Sequence, residues 1–329
     1  MNGDVTLAGH HRRPMDQLLA AGLAVAGVAA IVWGAEAFAE HLAGAATRLG
    51  VTTFALALLL AGAEPEELAT AVAATVREAP AIAFGDVVGA NVTVCLVALG
   101  VGALVAPLPF GPRVLRYGLL ALPLGVLAVA FAWDGRVGRA EGALLVAGYV
   151  AYVAGIWLAE RRPPALGETA ELEEAAESSP RGRVGRELAV VLAGLVAMVV
   201  GATLLVDGVR DLVDAEADQA RISLTIVGFA TGFELVVLAW SSARRGITEA
   251  VVAGVVGSFA YNATMTLGVA AVVRPLQVVD AGLLHPSLVA MLLSLGVVLV
   301  LAVRRRSLGR GEGVLLLALY PVYVAVALS

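Results

Sequence analysis

Ten apolar stretches follow one another along the chain, each close to the 17–25 residues that cross a bilayer core as a helix. They run at 17–38, 51–77, 81–106, 113–133, 139–160, 187–207, 222–244, 247–273, 283–303 and 312–328. Within a bilayer every backbone N–H and C=O must be satisfied inside the protein, so runs of this length have to be helices. The pattern predicts an all-α membrane protein of ten transmembrane helices. Composition agrees, because 60% hydrophobic and 15% charged residues leave too little charge to cover a soluble fold of 329 residues. The first stretch follows His10, His11, Arg12 and Arg13, as a secretory signal would. It is too long for a signal's apolar core and has a counterpart later in the chain, so it is expected to be retained. A net charge of −5 excludes a nucleic-acid partner, which needs a basic surface. The 22 basic residues other than His are all Arg, and the lone Cys95 lies in an apolar span, where it packs as a small hydrophobe.

The chain repeats itself. Gly138-Arg139-Ala140-Glu141-Gly142, followed by Tyr149 and Tyr152, returns as Gly309-Arg310-Gly311-Glu312-Gly313 with Tyr320 and Tyr323, at an offset of 171. Leu99-Gly100-Val101 and Val87-Val88-Gly89 return 168 residues later, and Gly34, Glu67 and Arg77 match Gly201, Glu234 and Arg244 at 167. The expected organisation is an N-terminal extension 1–16, a first five-helix repeat 17–160, a charged linker 161–186 and a second five-helix repeat 187–329. Five spans is an odd number, so the second repeat enters the membrane upside down. Inverted repeats of this kind are typical of secondary transporters, whose ion sites lie at the midplane between the repeats. With the N-terminus outside and the linker cytoplasmic, 14 of the 22 arginines fall on the cytoplasmic side. The expected location is the cell membrane.

An ionised carboxylate at the centre of a membrane helix costs at least about 2.5–3.5 kcal/mol, so such residues are rare unless paired or used. Glu234 has apolar residues on both sides, and Glu67 is its repeat partner at the end of Glu64-Pro65-Glu66-Glu67. Glu64 and Glu66 read equally as cation ligands or as the solvated end of a helix. Gly and Pro at these points free backbone carbonyls, and carboxylates beside carbonyls suit hard cations such as Ca2+ or Na+. The following span carries Asp86 and Asn91 near Gly85 and Gly89, and its repeat carries Ser258 and Asn262; these add oxygens where small residues allow close helix approach. Glu40 and Asp207, 167 residues apart, sit at span ends, either solvated or lining a mouth.

On these residues the chain resembles the cation/calcium exchanger superfamily, which includes sodium/calcium exchangers. That family has two inverted five-helix halves, signatures of the form G-T-S-x-P-E followed by G-N-x-x-G-S-N-x-x-N, and G-R-x-E-G motifs with paired tyrosines. The resemblance covers nearly the whole chain. It implies that Glu67 and Glu234 are the central cation ligands, and that Thr231, Ser258 and Asn262 fall on further ligand positions. A one-residue gap would put Glu66 rather than Glu67 at the first of these. Ala63, Glu64 and Glu66 depart from the first signature, Ala90 and Val94 from the second, and Ala230 and Phe233 from their repeats. Glu64 adds a carboxylate where the family has Ser.

The expected function is a secondary-active antiporter that exchanges Ca2+ or another hard cation for Na+ or H+ by alternating access. The candidate ligands are Glu67, Glu234, Glu64, Thr231, Ser258, Asn262, Asp86 and Asn91. The resemblance implies that the first and sixth spans shift against the rest. Cations are substrates, no cofactor is expected, and no P-loop for ATP occurs. A passive cation channel or a transport-deficient sensor is the alternative. Phe84-Gly85-Asp86 is similar to part of an intramembrane aspartyl protease signature, but no partner Tyr-Asp exists in an earlier span, so an enzyme is not expected. Oligomeric state is left open.

Overall fold

The computed structural model describes residues 14–48, 63–161 and 184–329. Ten helices follow one another: α1 (Pro14–Arg48), α2 (Pro65–Val76), α3 (Pro80–Val105), α4 (Pro112–Ala132), α5 (Arg139–Glu160), α6 (Val184–Leu212), α7 (Glu216–Arg245), α8 (248–273), α9 (His285–Arg305) and α10 (Arg310–Leu328). Among the described residues nine of these are long and apolar enough to cross a membrane. The exception is α2, at 12 residues; the start of the expected 51–77 span lies outside the described residues, as do 1–13 and 162–183 of the expected extension and linker.

Local chemistry sets the helix ends. Proline occupies the first turn of α2, α3, α4 and α9, where its missing N–H costs nothing. The Gly-Arg-x-Glu-Gly repeats turn out to be helix starts. Gly138 N–H donates to Glu141 Oε2 at 2.6 Å, and Gly309 N–H to Glu312 Oε2 at 3.0 Å, closing a capping contact at α5 and α10. The second glycine of each motif serves packing. A Cβ on Gly142 would lie 2.6 Å from the Gly268 carbonyl of α8, and one on Gly313 2.8 Å from the Gly100 carbonyl of α3. Glu78 ends α2 with φ +59, where its repeat partner Gly246 has φ +81. A left-handed residue with a Cβ costs roughly 1–2 kcal/mol. The Glu78–Arg274 pair at 2.7 Å joins two well-exposed side chains and offsets little of that. Glu78→Gly is therefore expected to leave the melting temperature of the solubilised protein within a few degrees of wild type, as a thermal melt would read.

Two short antiparallel pairs pin the repeats together. β1 (Leu108–Pro109) pairs with β4 (Ser307–Leu308), and β2 (Arg136–Val137) with β3 (Leu276–Gln277). The repeat offsets map β1 onto β3 and β2 onto β4, so one pin becomes the other when the halves are exchanged. Each pin joins a loop of the first repeat to a loop of the second, and the two lie at opposite ends of the bundle.

The core is built on α3 and α8, buried along most of their length, with α2 and α7 crossing them. Close crossing depends on small residues: a Cβ on Gly85 would meet Ser223 of α7 at 2.5 Å, and one on Gly89 would clash with the Leu224 carbonyl. Outside this core α1 and α6 lie antiparallel, Gly27 against Gly201 and Gly34 against Gly194. Their outer faces expose Leu18, Val25, Trp33, Leu192, Val196 and Val199, an apolar surface suited to lipid. Asp207 of α6 pairs with Arg77 of α2 at 3.1 Å, while Glu40, its repeat partner, is exposed. Cys95 is buried and free.

Candidate cation site

The site lies where helices break. In the second repeat α7 passes from a π-helical turn (Ser223–Val227) through Gly228–Thr231, then stops at Gly232 and restarts at Phe233. In the first repeat α2 starts at Pro65, directly after Glu64. Glu66 and Glu67 thus lie in the first turn of one helix and Glu234 in the first turn of the other, where the helix dipole favours negative charge. The two helices that face these breaks are widened as well, by π-helical turns at Val94–Ala98 in α3 and Tyr261–Thr266 in α8. Such turns disturb the i→i−4 ladder and concentrate at functional sites.

Glu64, Glu66 and Glu67 are all buried, at 2%, 4% and 0% exposure, which removes the reading of a solvated helix end. One carboxylate oxygen from each lies within 4.8 Å of the other two. At an effective dielectric of about 20, two like charges at that separation repel by roughly 3.5 kcal/mol, so three full charges together cost on the order of 10 kcal/mol. A bound cation or shared protons must offset this. No Arg, Lys or His is among the buried residues described.

From the facing helix, Asn262 donates through Nδ2 to Glu67 Oε2 at 2.5 Å and to Ser258 Oγ at 3.3 Å. Thr266 donates to Asn262 Oδ1 at 3.1 Å, fixing the amide. Glu67, rather than Glu66, is the glutamate that meets the second signature, while Glu66 lies within hydrogen-bonding reach of Glu64. Across the bundle Thr231 donates to Asp86 Oδ1 at 2.9 Å. Asn91 points its amide at Met291 Sδ, 3.5 Å away, with Oδ1 unpartnered. Glu234 is half-buried, with Oε2 shielded from solvent, and stands outside the triad. The structure thus joins Glu64, Glu67, Ser258 and Asn262 in one group and Asp86 with Thr231 in another.

Sequence reasoning missed Tyr261. Its ring packs edge-on against Tyr149 at 5.3 Å and lies within electrostatic reach of all three glutamates. The signal was there, since Tyr261 directly precedes Asn262 and Tyr149 belongs to a repeated pair.

Comparison with known proteins bears on the family and the fold. The chain is 26% identical over 320 residues to the inner membrane protein YrbG of Escherichia coli (strain K12), covering 94% of this chain and 97% of the relative. It is 25% identical over 338 residues to the sodium/calcium exchanger MaX1 of Methanosarcina acetivorans, covering 91% and 96%. A solved structure of the sodium-calcium exchanger NCX_Mj superposes with a TM-score of 0.61 at 21% identity, covering 94% of this chain and 98% of that one. It shares the inverted-repeat fold. The family model described as sodium/calcium exchanger protein matches residues 19–158 and 187–329, nearly all of both repeats. This chain belongs to the sodium/calcium exchanger protein family, and is therefore an integral membrane cation antiporter.

Proposed function

We propose that the protein moves a divalent hard cation, Ca2+ foremost, against Na+ or H+ across the cell membrane. The observation that carries this reading is the buried Glu64–Glu66–Glu67 triad facing Asn262 and Ser258 at a helix break. An all-oxygen set of this kind suits a hard cation, and its crowded charge favours a divalent one. The name of the Methanosarcina relative supports Na+ and Ca2+ as the exchanged pair. Glu67 and Glu234, each at the start of a half-helix, are the central ligands, with Glu64, Thr231, Ser258 and Asn262 around them.

In this reading α1 and α6 shift together over the α2–α3–α7–α8 core, opening the site first to one side and then to the other. Their glycine-to-glycine contacts present little side-chain relief to resist sliding. The N-terminus faces outside and the linker 161–186 faces the cytoplasm.

The test is Ca2+ uptake into proteoliposomes against imposed Na+ and H+ gradients. Uptake should require a cation on the opposite side and respond to at least one gradient. Uptake indifferent to both gradients, or conduction without any counter-cation, overturns the reading.

A further inference from the structure

The first repeat lacks oxygens on α3 where the second repeat has them on α8. Ser258 and Asn262 correspond, at an offset of 168, to Ala90 and Val94. Asp86, Ala90 and Val94 are spaced i, i+4, i+8, and so share one face of α3. A carboxylate thus sits one turn before the two empty positions, on the face that lost its ligands.

Asp86 is fully buried, and its Oδ2 has no hydrogen-bond partner. It lies within electrostatic reach of Glu66, so the Asp86–Thr231 pair neighbours the triad. Its Oδ1 accepts from Thr231 at 2.9 Å, while the same hydroxyl also lies 3.1 Å from the Val227 carbonyl. A hydroxyl has one proton to give. When Thr231 gives it to Val227, both Asp86 oxygens and the Thr231 oxygen are left to face a cation.

The repeat offsets supply an independent argument. Thr231 corresponds to Glu64 at 167, and Asp86 to Gly254 at 168. Where α3 meets α7, the acid is on α3 and the neutral residue on α7. In the equivalent crossing of α8 with α2, the acid is on α2 and the neutral residue on α8. The carboxylate has been transposed between partner helices: Glu64 on α2 in one crossing, Asp86 on α3 in the other.

We propose that Asp86 is a cation ligand of the α3–α7 crossing, standing in for the oxygens missing at Ala90 and Val94, and that it biases the site toward divalent cations. The proposal rests on the antiporter reading above.

The experiment measures Ca2+-dependent thermal stabilisation of the solubilised protein and Ca2+ uptake in proteoliposomes, with wild type, Asp86→Asn, Asp86→Gly, and Asp86→Gly combined with Thr231→Glu. The last variant rebuilds at the α3–α7 crossing the arrangement native to the α2–α8 crossing. Asp86→Asn is expected to weaken apparent Ca2+ affinity at least tenfold without lowering the melting temperature in the absence of Ca2+. The combined variant is expected to recover most of the affinity lost in Asp86→Gly. Wild-type affinity in Asp86→Asn, or no recovery in a combined variant that melts like wild type, overturns the proposal alone. A wild type that neither binds nor exchanges Ca2+ overturns the antiporter reading and the proposal with it.

Discussion

Glu67→Gln is expected to reduce Ca2+ uptake at least a hundredfold while leaving the protein folded. Glu67 contacts the second repeat through Asn262, and it carries one of three mutually repelling charges. Replacing it with a neutral isostere relieves that repulsion, so the melting temperature without Ca2+ should hold or rise. The added stability from Ca2+ should vanish, because a ligand raises the melting point only while it binds the native state. Measured side by side, the two readouts separate loss of a ligand from loss of the fold. Glu66→Gln should cost less, since the hydrogen bond from α8 to the triad, donated by Asn262, goes to Glu67.

Gly228→Ala is expected to have the largest effect on stability. A single methyl there would lie 2.5 Å from the Ala90 nitrogen and 2.6 Å from the Gly89 Cα, all backbone that cannot rotate away. Forcing extra volume into a packed core costs typically about 1–3 kcal/mol, and a backbone-to-backbone clash belongs at the upper end. The α3–α7 crossing would open, with loss of the Thr231–Asp86 contact and of exchange. Gly155→Ala in α5 and Gly296→Ala in α9 are the controls, since a Cβ at either meets nothing within 4 Å. Alanine is the better helix former by about 1 kcal/mol, so these two should hold or raise the melting temperature. Equal behaviour of all three in a thermal melt would refute the account of α3–α7 packing.

The ten spans and their inverted pairing were legible because bilayer thickness and helix rise leave one length to look for. The two halves were legible because the repeats preserve spacing. What the Gly-Arg-x-Glu-Gly motif does was not, since its glutamate acts on a backbone three residues away and its glycine on a helix more than a hundred residues away. Glu67, Asn262 and Ser258 were assigned together and do meet. Glu64 and Glu66 were undecided for a physical reason: a charged run after an apolar one looks the same whether water or α8 covers it. The cover comes from residues near 262, which no local pattern announces. π turns of five or six residues leave no periodicity to read, so the widening of α3, α7 and α8 was invisible. Asp86 was expected among the oxygens of the site, but its bond to Thr231, 145 residues away, is information only the fold holds.

The exchange of the two pins under the repeat offsets has a consequence for biosynthesis. Each pin takes one strand from either half, and Glu67 takes its partner from α8. During synthesis the first five helices enter the bilayer before the second half exists. In that interval the glutamates have no Asn262 or Ser258, and β1 and β2 have no mates. The first half can therefore only wait, inserted but unfinished, and its completion is an encounter within the membrane rather than a step of insertion. Three carboxyl groups therefore pass that interval without the contact that α8 later provides.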